Sequence, residues 1–165
     1  MAWSTACPDW GDRIRAGRSL VPDLPLDNEA ATRAITIFNL LRLPDVPGRP
    51  ALAEAAGDWQ RDLVGALFGS YDATTDIRHV REFFCLVPKK SSKTTTGAAT
   101  MITALLMNRR PRAEFLLVAP TQEVADLAFR QAAGMVEADP VLAAKFHIVE
   151  HIKRITYRPT RRSSR

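Results

Sequence analysis

A chain of 165 residues is long enough for one domain with a packed core and not comfortably long enough for two. Its 46% hydrophobic and 25% charged residues are ordinary for a globular protein, and no run approaches the roughly 20 apolar residues that span a bilayer. The formal charge of +5 favours a polyanionic partner, while two cysteines, Cys7 and Cys85, are too few for a metal cluster or a disulfide framework.

The N-terminal stretch has no apolar segment of the signal-peptide kind, so the expectation is a soluble protein of a reducing compartment. Residues 1–27 read as an arm, with Pro8, Pro22 and Pro25 and little periodicity. A helix is predicted from about Asn28, with Ala31, Ala34, Ile35, Phe38 and Leu41 on one face and Asp27 or Asn28 as cap. "RLPDVPGRP" breaks it into a turn or extended linker. "ALAEAAG" reads as a short helix ended by Gly57, and Asp58 can cap the next, with Trp59, Leu63, Ala66 and Leu67 on one side.

"SYDATTDIRHV" is a loop leading into "REFFCLVP", continuously apolar from Phe83 to Val87, as in a strand buried on both faces. Cys85 in that run is most simply a small buried hydrophobe. A helix from about Thr94 to Met107 carries Ala98, Met101, Ile102, Leu105 and Leu106 at helical spacing. "AEFLLVAP" is a second buried strand. Thr121 then caps a helix whose stripe is Val124, Leu127, Ala128, Ala132, Met135 and Val136. The order strand, helix, strand, helix predicts an α/β core with a parallel sheet and right-handed crossovers.

Between the first strand and its helix stands "VPKKSSKTTTG". Against the phosphate-loop pattern G-x-x-x-x-G-K-[ST], Val87 and Ser92 occupy the two glycine positions. The chemistry asks for less: inward backbone N–H groups, a helix N-terminus, a lysine and a hydroxyl for Mg²⁺. Ser91 and Ser92 are small, Lys93 can reach the β- and γ-phosphates, Thr94 can ligate the metal, and Lys89 and Lys90 add charge at the outer edge. The plain alternative is a solvated surface turn with Thr94 as a helix cap. Basic residues also bunch at Arg109, Arg110 and Arg112 and at Arg158, Arg161, Arg162 and Arg165.

Five stretches, "GRSLVPDLPL", "IFNLLRLPDVPG", "GDWQRDLVGALFGSYD", "REFFCLVPKKSSKTTTGAA" and "NRRPRAEFLLVAPTQEVADLAF", together resemble the N-terminal ATPase region of tailed-bacteriophage terminase large subunits. The resemblance runs from about residue 10 to about 157. It implies a P-loop NTPase-like, helicase-like parallel sheet, incomplete in this chain and preceded by an α-helical N-terminal segment. It further implies ATP and Mg²⁺ at Lys89, Lys90, Ser91, Ser92, Lys93 and Thr94, with Thr94 on the metal through its hydroxyl. Gln60 stands where related motors place an adenine-contacting glutamine; a solvent-facing glutamine on an amphipathic helix is the other reading. Thr121 and Gln122 fall where such motors sense DNA or nucleotide, with a simple cap as the alternative for Thr121.

The partners implied are double-stranded DNA, a portal protein and a small terminase subunit, with no membrane. The place is the host cytoplasm and, transiently, the procapsid, with the chain as one copy in a motor oligomer. The corresponding organisation is an arm (1–27), a helical lead-in (28–80), a partial ATPase core (81–157) and a basic tail (158–165).

Hydrolysis also needs carboxylates to position Mg²⁺ and the attacking water. "FLLVAP" ends without an acid, and Glu150 after "FHIV" is a weak candidate, more simply a surface carboxylate. The resemblance implies that the acids and the nuclease domain lie beyond this chain, so a truncated, poorly soluble or oligomeric fragment is expected. The reading of a different class is a non-catalytic nucleic-acid-binding α/β module that sets its basic loops on phosphate backbones.

Overall fold

The structure, a computed structural model, describes residues 8–18, 27–72, 74–75, 77–78 and 80–158. Cys7, Pro22 and Pro25, and Arg161, Arg162 and Arg165, lie outside the described residues. Seven helices and one hairpin are described: α1 (Trp10–Arg15), α2 (Asn28–Leu40), α3 (Leu52–Ala55), α4 (Asp58–Gly69), α5 (Lys93–Met107), α6 (Gln122–Glu137), α7 (Pro140–Ala143), β1 (Phe146–Val149) and β2 (Arg154–Tyr157). They divide between two compact units, one drawn from Met1–Thr36 and Ala56–Leu86, the other from Ile37–Ala55 and Val87–Arg165.

In the first unit, Asp27 caps α2, its Oδ1 accepting from Ala30 N at 2.9 Å. Ala31 and Ala34 are buried, on the predicted face. Against them lies α4, whose buried residues are Gln60, Val64, Gly65, Ala66 and Gly69. The sequence placed Trp59, Leu63 and Leu67 on that face; of the predicted four only Ala66 is buried. The two glycines turn the helix. A Cβ on Gly65 would stand 3.2 Å from Ile35 Cδ1, and one on Gly69 only 2.8 Å from Ala31 Cβ, so α2 approaches along the side that lacks side chains.

Gly57, not Asp58, caps α4. Its N–H donates to Gln60 Oε1 at 2.6 Å. At the other end, Arg78 donates to Leu67 O at 2.9 Å and stacks on Tyr71 at 4.6 Å, closing the helix's last turn.

Asp72 organises the turn beyond. The hydroxyl and amide of Thr74 and the amide of Thr75 all donate to its Oδ1. The Thr74 bonds above all hold its carboxyl down to about 2 from the ordinary 3.8. A group whose folded pKa is depressed stabilises fully above its unfolded value, and that contribution fades as pH falls towards 2. A carbon-detected NMR titration should therefore find the Asp72 midpoint below that of an unstructured aspartate, and Thr74→Ala should raise it.

The second unit is built on α5 and α6. Ala98, Ala99 and Ile102 of α5 and Ala128, Ala132, Met135 and Val136 of α6 are buried. Thr121 caps α6, its Oγ1 accepting from Val124 N at 3.4 Å. Val124 and Leu127, predicted for the apolar stripe, stay exposed on the N-terminal half. The proline-rich loop after α2 packs on the C-terminal half: Asp45 Oδ2 accepts from Gln131 Nε2 at 2.8 Å, and Pro44 lies over Gly134.

The hairpin of β1 and β2 is antiparallel, with Phe146 opposite Tyr157 and Val149 opposite Arg154. It is the sheet of the described residues; the predicted parallel ladder is not formed among them. Segments 81–88 and 113–119 carry no strand pairing, and Phe84, Leu86, Leu116 and Val118 are 92%, 84%, 84% and 78% exposed. A strand apolar on both faces is buried only when neighbours flank it and helices cover it, and neither segment has a neighbouring strand here. For the same reason Cys85, expected as a small buried hydrophobe, is exposed.

Candidate nucleotide-phosphate loop

Residues 87–94 join the unpaired segment to α5. Val87 and Pro88 end the apolar run, Lys89 and Lys90 form a turn, and the helix opens at Lys93. Two residues that are not glycine take left-handed backbone angles, Lys90 at φ 65° and Ser92 at φ 58°. Ser92 occupies the second glycine position of the phosphate-loop pattern. The conformation that glycine usually serves is therefore present without the glycine, at a cost of about 1–2 kcal/mol for an L-residue.

Two side chains hold the turn closed around one carbonyl. Ser91 Oγ donates to Pro88 O at 2.6 Å. Lys93 Nζ donates to the same oxygen at 2.7 Å and to Val87 O at 3.2 Å. The ammonium thus lies folded back over the loop at the opening of α5, where unsatisfied N–H groups and the helix dipole favour an anion. Further along, Thr96 anchors the first turn by donating from Oγ1 to Ser92 O at 2.9 Å.

The predicted residues are thereby placed individually. Lys89, Lys90, Ser92 and Lys93 are exposed, and Ser91 and Thr94 are half-buried. Neither Lys89 nor Lys90 has an acidic partner among the described residues. Thr94 makes no side-chain hydrogen bond among them, so its hydroxyl is available to a ligand. A threonine hydroxyl beside phosphate oxygens suits Mg²⁺, which keeps several waters and takes few protein ligands. The donors present therefore fit an Mg-triphosphate. Among the described residues no group of three His, Cys, Asp or Glu could hold a metal by itself.

Gln60 belongs to the other compact unit, is buried, and has its Oε1 engaged in the α4 cap. It is not the solvent-facing glutamine that helical periodicity allowed. Glu150 lies in an exposed 3₁₀ turn, Glu150–Ile152, between β1 and β2. What the sequence did not reveal is the double use of Pro88 O, nor that Lys90 takes a left-handed angle beside Ser92.

The family model "Terminase large subunit, ATPase domain" matches residues 58–158, from the start of α4 to just past the hairpin. The chain belongs to the terminase large-subunit ATPase family. No curated protein and no solved structure matches it. Family membership supports a role in a DNA-packaging motor ATPase and the use of a nucleotide. No described helix of this terminase chain is long and apolar enough to cross a membrane.

Proposed function

We propose that this chain supplies the ATP-holding part of a phage DNA-packaging motor, with the 87–94 loop as the phosphate site. The observation that carries the reading is the opening of α5 at Lys93 directly behind left-handed Ser92, within the family match. In this reading the amides of Lys90–Thr94 and the helix terminus receive the β- and γ-phosphates. Lys93 Nζ leaves the carbonyls of Val87 and Pro88 to pair with phosphate oxygen. Lys89 and Lys90 supply further positive charge at the entrance.

Thr94 would hold Mg²⁺ through its hydroxyl, and the metal would supply charge neutralisation to the bound phosphates. The P-loop parallel sheet, with segments 81–88 and 113–119 as its strands, is part of the same proposal. So are translocation of double-stranded DNA into a procapsid and contacts to a portal protein and a small terminase subunit. No hydrolytic role is assigned to Glu150.

The metal dependence tests the site. ATP titrated by calorimetry should bind more tightly with Mg²⁺ than with EDTA, and Thr94→Val should erase that difference while leaving metal-free binding intact. Equal affinities with and without Mg²⁺ in the native chain would remove Thr94 from the site.

A further inference from the structure

We propose that Ser91 is a positioning residue of the phosphate loop. Its hydroxyl does for the turn what glycine does in the usual pattern, so that Lys93 can leave for phosphate without undoing it. The inference rests on the phosphate-site reading and assigns Ser91 a role within it. Residues 88–91 make a four-residue turn with Lys90 third, at φ 65°. A positive φ at that place is what turns reserve for glycine or asparagine. Such a turn is often closed by the amide of its fourth residue on the carbonyl of its first. Among the described residues Ser91 N makes no bond to Pro88 O; Ser91 Oγ makes it instead, at 2.6 Å.

Two side chains close the turn in the ligand-free chain, and only one of them can stay. Lys93 Nζ donates to Pro88 O at 2.7 Å and to Val87 O at 3.2 Å, and both bonds are given up when the ammonium pairs with phosphate. Ser91 Oγ keeps Pro88 O. On the far side of Ser92, Thr96 donates to Ser92 O from Oγ1 and from its amide, each at 2.9 Å. Left-handed Lys90 and Ser92 thus stay bracketed by hydroxyls, as backbone in a sparsely populated region has to be.

A serine hydroxyl has one hydrogen to give. Committed to Pro88 O, it is not available to an ionised phosphate oxygen, which only accepts. The Ser91 amide has no acceptor among the described residues, nor have those of Lys90 and Ser92. The side chain therefore serves the shape of the turn, and the backbone is left for the ligand. A Ser91 hydroxyl placed directly on phosphate is the competing arrangement. The two differ in whether glycine at position 90 can stand in for the lost hydroxyl: it relieves a strained turn and replaces no contact to phosphate.

Calorimetric titration of the full chain with Mg-ATP tests it. Ser91→Ala should weaken binding about tenfold, because Lys90 relaxes and must be returned to the left-handed region as the ligand binds. The melting temperature of the ligand-free variant should stay near the native one, since Lys93 still closes the turn. Ser91→Thr, which keeps the hydroxyl, should bind as the native chain does. The deciding pair is Lys90→Ala and Lys90→Gly, which remove the same charge and differ in backbone freedom. Added to Lys90→Ala, Ser91→Ala should again cost about tenfold; added to Lys90→Gly, less than about threefold. The proposal is overturned if Ser91→Ala binds normally or Ser91→Thr binds as weakly as Ser91→Ala. It is overturned equally if the loss is the same in the glycine and alanine backgrounds, as direct contact with phosphate would make it. Failure of the site itself reads differently: Mg-ATP binding that is absent, or equal in the native chain and Lys93→Ala, removes the phosphate loop and this inference together.

Discussion

Lys93→Ala should weaken Mg-ATP binding on the order of 100-fold while leaving the melting temperature of the ligand-free chain nearly unchanged. The two expectations rest on different features of one side chain. Lys93 is exposed, and its bonds in the structure run to two loop carbonyls, Val87 O and Pro88 O. Water can replace the ammonium on exposed carbonyls, so the folded state loses little. A triphosphate is different. A charge-assisted contact to it is worth about 1.5–3 kcal/mol, and Lys93 can make more than one. Lys93→Arg should not restore affinity, because a planar fork cannot replace a compact ammonium over a tight loop. Fluorescence titration with a nucleotide analogue, beside thermal melts of each variant, reads both quantities. A large loss of stability with unchanged affinity would make Lys93 a structural clasp only.

Gly134→Ala should destabilise the chain by about 1–3 kcal/mol, as overpacking does, although the substitution is favourable in most helices. Alanine is preferred over glycine in an exposed helix interior by about 1 kcal/mol. Gly97, in α5, meets nothing within 4 Å of an added Cβ, so Gly97→Ala should follow that rule and stabilise. At Gly134 the added carbon would lie 2.6 Å from Pro44 Cβ and 2.9 Å from Pro44 Cγ, both in a stiff ring. The loop can yield only by lifting from α6, which would stretch the Gln131–Asp45 bond. Gln131 Oε1 is already buried without a hydrogen-bond partner, so leaving its Nε2 unpaired as well would add to the cost. Urea unfolding of the two alanine variants should thus move the midpoint in opposite directions. A gain at both positions would show that Pro44 does not press on α6.

Helices α2 to α6 were legible from their apolar stripes and punctuation, whereas α1 lies in the segment read as an arm and α7 was not predicted. Asp27 and Thr121 cap α2 and α6 as their side chains allow, and α5 stops where Asn108 and Pro111 stand. The phosphate loop could be located for the same reason: strand-like apolar run, basic turn and helix start are local features. Its shape was less legible, since Lys90 and Ser92 take left-handed angles without being glycine, the residue whose missing Cβ marks such a position in sequence. The face of α4 was misjudged because Gly65 and Gly69 bury through close approach and not through hydrophobic bulk. Segments 81–88 and 113–119 were read as strands from composition, but pairing belongs to neighbours and is not written in the segment itself. The hairpin escaped for want of a turn signal: "EHIK" holds no glycine or asparagine, and Lys153 takes the left-handed angle at φ 51°.

The central claim is that residues 89–94 receive the phosphates of a nucleotide. Backbone amide NMR during titration with Mg-ATP addresses it most directly, because it reports where the ligand sits as well as whether it binds. The largest saturable shifts should fall on the amides of Lys90, Ser91, Ser92, Lys93 and Thr94. Adenosine, which has no phosphates, should leave those amides unmoved. Shifts absent from these residues at saturating Mg-ATP, or equal with adenosine, would contradict the phosphate site.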